Sequence, residues 1–576
     1  MAKTKDLISV YCVNDGKTYE VERGTDLFGL MKHTGIDSVI DTKTGERLQV
    51  IAALVDNKLK ELANHLMMFH QVEFIAYNHA DGRRSYLRSL CFVLQKAIRE
   101  LYPEKLLVID HSLPSGLYCE LHERTRMEDG RPRPYFLRDE ELDRIKEKMQ
   151  EIVAADLPFT KVKLHVDEAT EVFRANGQDA KADLQGSIGA FYCNVYYLDG
   201  LADSFHGPLV PSTGCLKIFD ITGIGDGFCL QPPTMNDFTK VMPMRRQSKI
   251  ATTLKEYSDW CAIVGIENVA TLNRRILSGK AVELINMAES LHERGYARIA
   301  DKIFENRASK KIVMLAGPSS SGKTSSSLRI ALQCKVLGLN PKVIELDNYF
   351  VDREHTPKDE NGEYDFESLY AMDLELLNGQ LNDLLDGKEV EVPKFDFKQG
   401  CRTYVGNKLH LEENDILIME GIHALNPEMT SAVDDSKIFR VYVSALTSLN
   451  LDENNNLSTS DNRLLRRIVR DNRVRGITPE NTICRWNSVR RGESKNIFPF
   501  QENADILFNS ALLFELPMLK YYAEPLLRRI SPVSPAYSEA VRLLKFLGYI
   551  VALAPDEIAA IPPTSIMREF IGGQTL

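Results

Sequence analysis

The segment GPSSSGKT, residues 317–324, combines two glycines five positions apart with a lysine and a threonine. Glycine allows backbone angles that other residues avoid, so consecutive backbone N–H groups can turn toward one anion. The lysine amine can reach phosphate oxygens, and the threonine hydroxyl can bind a magnesium ion. The spacing therefore predicts a phosphate-binding loop. The residues expected to contact a nucleotide are Gly317, Ser319, Ser320, Ser321, Gly322, Lys323, Thr324 and Ser325.

The flanks of this loop are of the kind that such a site requires. Residues 311–316, KIVMLA, form an apolar run typical of a buried strand, and residues 324–338 have the composition of a helix. A loop between a strand and a helix places a phosphate at the positive end of the helix dipole. We therefore predict ATP, or another nucleoside triphosphate, with Mg²⁺ as cofactor.

Two later apolar runs lead into an acidic residue, KVIELD at Asp347 and DILIME at Glu420. Ligands of a parallel sheet bind beyond the carboxyl ends of its strands, so both carboxylates would lie beside the phosphate-binding loop. One acid could accept the proton of an acceptor hydroxyl while the other orders magnesium. Acids at strand ends also serve as helix caps or turn residues, and the sequence leaves both interpretations open.

A third group of charged residues lies in DNRLLRRIVRDNRVRG, residues 461–476. Helical spacing puts four arginines on one face and apolar residues on the other. The arginines are Arg463, Arg466, Arg467 and Arg470, and the apolar residues are Leu464, Leu465 and Ile468. A mobile helix of this kind can close over a transferring phosphate, so we expect Arg466 and Arg470 to act with Lys323. A solvated surface is the alternative.

The rest of the chain divides by its pattern of apolar residues. Short strands surround one helix at the start, a mixed region follows, and a helical connector precedes the part that carries the loop. The predicted regions are residues 1–76, 77–235, 236–308 (the connector), 309–512 (alternating strands and helices) and 513–576 (a helical extension).

Composition excludes several classes of protein. The 576 residues are 44% hydrophobic and 26% charged, with a formal net charge of −10, which argues against a general coating of nucleic acid. No apolar run is long enough to span a bilayer, and the start lacks the pattern of a signal peptide, so we expect a cytoplasmic protein with no membrane partner. The ten cysteines contain no CxxC pair, which favours reduced, mostly buried thiols.

Residues 311 to about 512 resemble the phosphoribulokinase and uridine kinase family. The matching segments are the phosphate-binding loop, DNYF at 347–350, EGIHAL at 420–425, RRIVRD at 466–471 and ADILFNSA at 504–511. The resemblance implies an α/β fold with the parallel sheet of P-loop NTPases flanked by helices. It also implies Asp347 as catalytic base, Glu420 and Thr324 at magnesium, and the arginine helix as a lid.

The acceptor site resembles that of the family less closely. In FDFKQGCR, residues 395–402, Phe395, Asp396, Phe397 and Arg402 match, whereas Gly400 stands where a histidine would contact the base. Glu367 replaces the ribose-binding aspartate, and Arg475 remains from the end of the lid. The residues implied in substrate binding are Tyr349, Glu367, Phe395, Asp396, Arg402 and Arg475.

The front half resembles the N-terminal part of threonyl-tRNA synthetase. Residues 1–76 are similar to its TGS domain, a β-grasp fold, and residues 77–235 are similar to its α+β editing domain. The family's four editing positions, normally three histidines and a cysteine, are Arg88, Phe92, Phe205 and Leu209 here. No metal ligand or base remains among them, so we expect a binding or regulatory module without editing chemistry.

Together these features predict an ATP-dependent, uridine/cytidine kinase-like enzyme that phosphorylates the 5′-hydroxyl of a nucleoside. A kinase of another small alcohol, such as a sugar phosphate, is the first alternative. The second is a nucleotide-gated RNA-binding regulator, with RNA or a regulatory ligand on the front half. The sequence leaves the oligomeric state open, with a homo-oligomer among the alternatives.

Overall fold

A computed structural model gives the structure of the chain. It describes residues 6–128, 132–235, 237–244, 248–358, 362, 364–396, 398–447 and 449–576. The start of the predicted first region and Phe397 lie outside the described residues.

The first region is a five-stranded sheet with one helix packed on it, in strand order β2-β1-β7-β5-β6. Leu27 and Leu30 of the helix contact Val10 and Phe74 of the sheet in a separate small core. The predicted strands around one helix are confirmed, and the β-grasp assignment remains a prediction. The elements are β1 (Leu7–Cys12), β2 (Lys17–Glu22), α1 (Leu27–Thr34), β3 (Ser38–Ile40), β4 (Arg47–Gln49), β5 (Ala52–Val55), β6 (Lys58–Lys60) and β7 (His70–Ile75).

The second region mixes helices with two antiparallel sheets. In one sheet β10, β9, β15 and β14 are neighbours and β8 also pairs with β9, and the other has the order β11-β12-β13. Its elements are α2 (Ala80–Leu101), β8 (Lys105–Leu113), β9 (Gly116–Arg126), β10 (Pro132–Tyr135), α3 (Asp139–Ala154), β11 (Thr160–His165), α4 (Val166–Ala175), α5 (Asp179–Ser187), β12 (Tyr192–Leu198), β13 (Leu201–Asp203), β14 (Asp220–Ile224) and β15 (Gly227–Gln231).

The four positions that would carry editing chemistry come together in this second region. The rings of Phe92 and Phe205 lie 5.3 Å apart between centroids, and Leu209 is buried. The Arg88 guanidinium donates to the carbonyl oxygen of Pro208 at 3.0 Å. These positions therefore form a packed cluster of apolar rings around one buried arginine.

Three helices follow the second region along the chain. They are α6 (Ser248–Ile263), α7 (Val269–Leu277) and α8 (Ala281–Asn306).

The part of the chain that carries the phosphate-binding loop contains a wholly parallel sheet with the strand order β17-β22-β16-β23-β24. Its strands and the elements between them are β16 (Ile312–Ala316), α9 (Lys323–Val336), β17 (Asn340–Glu345), α10 (Leu374–Leu385), β18 (Val390–Glu391), β19 (Lys394–Asp396), β20 (Cys401–Thr403), β21 (Lys408–Leu409), β22 (Asp415–Glu420), β23 (Ile438–Ser444), α11 (Thr459–Arg475), α12 (Pro479–Asn496) and β24 (Ile506–Asn509).

Apolar side chains cover this sheet on both faces, as a parallel sheet requires. Along β16, Val313 and Leu315 join a core with the surrounding helices α7, α8 and α9. Ile312 and Met314, which point to the opposite face, join a second core that includes α10. The predicted α/β fold with a helix-flanked parallel sheet is thus confirmed for this part of the chain.

Four helices close the chain and extend the first of these two cores. They are α13 (Glu515–Leu527), α14 (Tyr537–Leu547), α15 (Pro555–Ala559) and α16 (Met567–Ile571). These helices lie within residues 513–576. Across the described residues, none of the helices combines the length and the apolar composition that a bilayer crossing needs.

A segment of the kinase-like part, residues 449–457, packs into the second region, and we call it the docking segment. The Asn450 amide donates to the carbonyl oxygens of Ile109 and Asp110, both at 2.9 Å. The Asn454 amide donates to the Leu107 carbonyl oxygen at 3.1 Å. Because α11 begins directly after this segment, the front half is tied to the arginine helix.

Candidate active site

Residues 317–324 form a tight loop between β16 and α9. A Cβ on Gly317 would lie 2.0 Å from the Val443 carbonyl oxygen, so a larger residue cannot occupy this position without a shift of the backbone. Ser320 and Gly322 have φ values of 59° and 87°. Alternation of right- and left-handed residues turns successive N–H groups toward one side, which creates an anion-binding concavity. The first N–H groups of α9 also lack carbonyl partners within the helix.

The two strand-end acids lie beside this loop, as the sequence predicts. Strands β17 and β22 are parallel neighbours, and Glu345 is in register with Glu420, the last residue of β22. Asp347 follows β17 in a short 3₁₀ turn. The Thr324 hydroxyl donates to Glu420 Oε1 at 2.6 Å, and the Lys323 amine donates to the Pro318 carbonyl oxygen at 3.4 Å.

Burial raises the pKa of both acids above the ordinary range of carboxyl groups. For Asp347, nearby Lys323 and Arg475 oppose the effect on the pKa, whereas Glu345 adds to it. For Glu420, Lys323 and the Thr324 hydroxyl lower the pKa, whereas Asp347 raises it. A carboxyl group held in this way is a suitable proton acceptor, because its pKa moves toward that of the medium.

The oxygen atoms at this edge of the sheet fit magnesium with a nucleotide. Mg²⁺ is usually bound through one or two protein oxygens together with phosphates and water, which is what Thr324 and Glu420 offer. The described residues contain no cluster of three or more His, Cys, Asp or Glu side chains that could hold a metal ion alone. In the loop itself, the Ser320 and Ser321 hydroxyl oxygens are buried without a hydrogen-bond partner in the described part of the chain.

The arginine helix α11 contacts the loop through Arg463, Arg466 and Arg467. The Arg467 guanidinium donates to the Ser319 hydroxyl at 2.9 Å. The Arg466 guanidinium donates to the Ser510 carbonyl oxygen at 2.8 Å and pairs with Glu515. Weaker contacts join Arg466 to the carbonyl oxygens of Ser320 and Ser321 at 3.4 and 3.5 Å.

The described structure contradicts the alternative of a solvated arginine surface, whereas the role of the helix as a lid stays a prediction. Arg463 and Arg466 are buried, and so are Leu464, Leu465 and Ile468 on the other face. The physical reason is that two buried acids, Glu493 and Glu515, neutralise the arginine face and allow it to pack. Arg470 remains partly exposed beside Asp471, with Nη2 and Oδ1 3.0 Å apart.

Glu493 of α12 is a site residue that the sequence reasoning missed. Its Oε1 accepts the backbone N–H of Ser319 at 2.9 Å, and its Oε2 accepts from Arg463 at 2.9 Å. One signal was present in the sequence. Glu493 continues the stripe of Ile483, Trp486 and Val489 at helical spacing, so it occupies a position expected to be buried.

The residues implied in acceptor binding separate into two groups. Glu367 lies close enough to Lys323 and Arg467 for both to lower its pKa, although burial and Glu493 raise that pKa to about 7. Arg475 lies close enough to Asp347 to lower the pKa of that carboxyl group, and its Nη1 lies 3.5 Å from Asp471 Oδ1. Glu367 and Arg475 are thus brought to the loop and the two strand-end acids.

The other implied acceptor residues have structural contacts. Tyr349 is buried, and its hydroxyl donates to Gln380 Oε1 at 2.8 Å. Phe395 packs on Phe350 with ring centroids 5.6 Å apart. The other two are polar: Asp396 accepts the backbone N–H of Lys398 at 2.8 Å, and Arg402 pairs with Asp373 at 2.7 Å. The roles of these four residues in acceptor binding therefore stay predictions.

Comparisons with known proteins agree on this part of the chain. The model of the phosphoribulokinase / uridine kinase family matches residues 312–513. The uridine kinase of Macrococcus caseolyticus is 34% identical over 197 residues, which are 34% of this chain and 86% of the relative. That of Staphylococcus epidermidis is 32% identical with the same coverage. The remaining two thirds of the chain lie outside these matches.

Solved structures give a looser match. A possible uridine kinase from Bacillus stearothermophilus is 18% identical and covers 37% of this chain and 98% of its own, with a TM-score of 0.26. A superposition this loose supports no conclusion about the site. The sequence matches, taken with the loop and the acids, show that the chain belongs to the phosphoribulokinase/uridine kinase family and is a phosphotransferase with an alcohol group as acceptor.

Proposed function

We propose that this protein transfers the γ-phosphate of ATP to the 5′-hydroxyl of a nucleoside, with uridine and cytidine as the leading acceptors. One observation carries the proposal. Lys323 and Thr324 of the phosphate-binding loop lie beside the half-buried Asp347 and the buried Glu420, which stand at the ends of neighbouring strands. A triphosphate on the loop would place its outer phosphate between the lysine and Asp347. The matches to uridine kinases support the nucleoside as acceptor.

In the proposed reaction Asp347 accepts the proton of the nucleoside hydroxyl. The oxygen of that hydroxyl forms a bond to the γ-phosphorus, and the bond from this phosphorus to the β,γ-bridging oxygen breaks, which releases ADP. Lys323 and Arg470 would balance the charge on the transferring group. Bound magnesium, held by Thr324 and Glu420, would neutralise phosphate charge. Arg466, predicted as catalytic, would act through the loop that it supports.

Glu367 and Arg475 would position the acceptor. A carboxylate can accept two hydrogen bonds from the vicinal hydroxyls of a ribose, and Glu367 lies on the loop side of the site. Gly400 stands where the family has a base-contacting histidine, and the Arg353 side chain fills the space beside it. We therefore propose that the base is held less specifically than the sugar.

A panel of acceptors with γ-labelled ATP tests this proposal. We expect label in nucleoside 5′-monophosphates, with uridine and cytidine ahead of purine nucleosides. Sugars and sugar phosphates serve as the competing acceptors. Label in sugars alone would leave the enzyme class intact and remove the nucleoside from the proposal.

We also propose a regulatory or ligand-binding role for the front half, because the docking segment joins it to α11 through buried hydrogen bonds. The candidate partners of the front half are RNA, a small regulatory ligand and, in a homo-oligomer, a second copy of the chain. Purified protein can be assayed for retained RNA and for a change of kinase rate on its removal. An unchanged rate and no retained RNA would remove the RNA candidate.

A further inference from the structure

The C-terminal segment, residues 566–574, lies against the phosphate-binding loop, and we call it the tail. Met567 and Phe570 of the tail are fully buried, and α16 packs along α11. Ile566 Cδ1 lies 3.5 Å from the position that a Cβ on Gly322 would take. The tail is therefore part of the core at the start of α9.

Two polar side chains of the tail converge on one hydroxyl group. The Ser325 hydroxyl, at the third position of α9, donates to Glu569 Oε2 at 2.7 Å. The Gln574 amide donates to the same hydroxyl oxygen at 2.9 Å. The Ser325 side chain is thus bonded to two side chains of the tail.

Glu569 occupies a position suited to a phosphate group. The first turn of a helix favours anions, because its N–H groups are unpaired and its dipole end is positive. Arg470 Nη1 lies 3.9 Å from Glu569 Oε1, which adds a cation. The carboxylate therefore has the surroundings of an anion ligand: a hydroxyl donor, a helix N-terminus and an arginine.

The backbone of the tail is held independently of this carboxylate. The Arg473 guanidinium donates to the carbonyl oxygens of Glu569 and Phe570 at 2.9 and 3.0 Å. The Glu569 side chain can therefore leave Ser325 while α16 keeps its anchoring to α11. Glu569 also contributes to the raised pKa of Glu420, so its negative charge is felt across the site.

We infer that Glu569 takes the place of a donor-nucleotide phosphate on Ser325 and Arg470, and that it sets the affinity of the chain for ATP. The inference rests on the proposed function, in which this loop binds a nucleoside triphosphate. A carboxylate and a phosphate on the same hydroxyl repel each other, so nucleotide entry displaces the Glu569 side chain. Ser325 then donates to a phosphate oxygen, and Arg470 pairs with the phosphate.

Isothermal titration of the full chain with Mg·ATP and Mg·ADP tests this. Glu569→Gln keeps the size of the side chain and removes its charge, and we expect it to lower the Kd for both nucleotides by roughly 5- to 10-fold, the scale of a typical coupling between sites. Asp556→Asn is the matched control, because it removes one exposed negative charge from the same C-terminal extension and should leave the Kd unchanged.

The outcomes separate the inference from the proposed function. Glu569→Gln with a Kd equal to or higher than that of the control overturns the inference while the proposed function stands. Absence of ATP binding in the natural chain and in Glu569→Gln alike removes the proposed function and the inference with it. Binding that survives in Lys323→Ala shows that the nucleotide binds elsewhere.

Hydrogen exchange gives a second test that needs no variant. In the natural chain, we expect saturating Mg·ATP to speed amide exchange in the tail only modestly, since the tail loses its side-chain bonds to Ser325 while Arg473 still holds its backbone. Uridine alone should leave that exchange unchanged. Slower exchange of the tail with Mg·ATP would mean that the tail closes on the nucleotide, which contradicts displacement. This measurement decides the question even if Glu569→Gln does not fold.

Discussion

Asp347 is the residue on which the chemistry of the proposed reaction depends. Its carboxyl group follows β17, is half-buried, and feels Lys323 and Arg475. We predict that Asp347→Asn lowers kcat by about 10²- to 10⁴-fold, the usual contribution of a general base. ATP binding should persist, because the loop is untouched. Steady-state kinetics measures kcat, and calorimetry measures ATP binding. The exposed Glu354→Gln variant is the control. A similar kcat in the two variants would contradict the assignment of Asp347 as base.

Glu367 predicts a pH dependence of acceptor binding. Burial and Glu493 raise its pKa to about 7, so the group is mainly protonated below that pH and ionised above it. The ionised form accepts hydrogen bonds through both oxygens, whereas protonation turns one of them into a donor and removes the charge. The KM for the nucleoside should therefore fall as the pH rises through about 7, and Glu367→Gln should abolish this change. A KM profile that is the same in both proteins would exclude Glu367 from the acceptor site.

Gly317 tests the shape of the loop at the scale of the element. In Gly317→Ala the new methyl group would meet the Val443 carbonyl oxygen at 2.0 Å, so β23 or the loop must move. We expect the Kd for ATP to rise at least tenfold, because the N–H groups lose their common direction. In the control Gly338→Ala, the new methyl group meets open space at a glycine of positive φ outside the loop, and ATP binding should be retained. Equal Kd values for ATP in Gly317→Ala and Gly338→Ala would show that the loop still binds ATP after its backbone has moved.

The support of the loop by α11 and α12 gives a stability prediction. Glu493→Ala would leave the buried Arg463 without its partner and the Ser319 N–H without an acceptor. Loss of one partner of a buried ion pair costs about 3–5 kcal/mol, so the unfolding midpoint should fall clearly. Exposed Arg485→Ala on the same helix should change stability by about 0.5 kcal/mol or less. Thermal unfolding compares them, and equal midpoints would mean that the pair is not structural.

The elements of the site could be predicted from the sequence to different degrees. Strand β16, the loop and the acids at the ends of β17 and β22 follow from short apolar runs with local signals, and the structure confirms their positions. The burial of α11 could not be predicted, because it depends on Glu493 and Glu515, which are distant in sequence. The contact of Glu569 with Ser325, 244 residues apart, is non-local in the same way.

The whole molecule is joined through the docking segment. The Asn450 amide bonds two carbonyl oxygens of β8, and Lys181 pairs with Asp203 and lies 3.6 Å from Asp452. We predict that Asn450→Ala destabilises the protein by about 1–3 kcal/mol, since buried carbonyl groups lose their donor. Calorimetry should show one shifted transition for the front half and the kinase part.

Exposed Asn487→Ala provides the control for that change. A second, independent transition that Asn450→Ala leaves in place would show that the halves unfold separately. At this scale the contact between the regions could not be predicted from the sequence, because residues 450–456 have the polar composition of a surface loop. Their burial depends on carbonyl groups more than 300 residues away.

The most direct test is the transfer of phosphate by the full chain. With Mg·ATP and uridine, we expect uridine 5′-monophosphate and ADP in equal amounts by ³¹P NMR. Lys323→Ala should remain folded and form neither product above background, because the loop loses the amine that holds the outer phosphates. Unchanged product formation by Lys323→Ala would contradict the account, since phosphate would then be transferred at a site other than this loop.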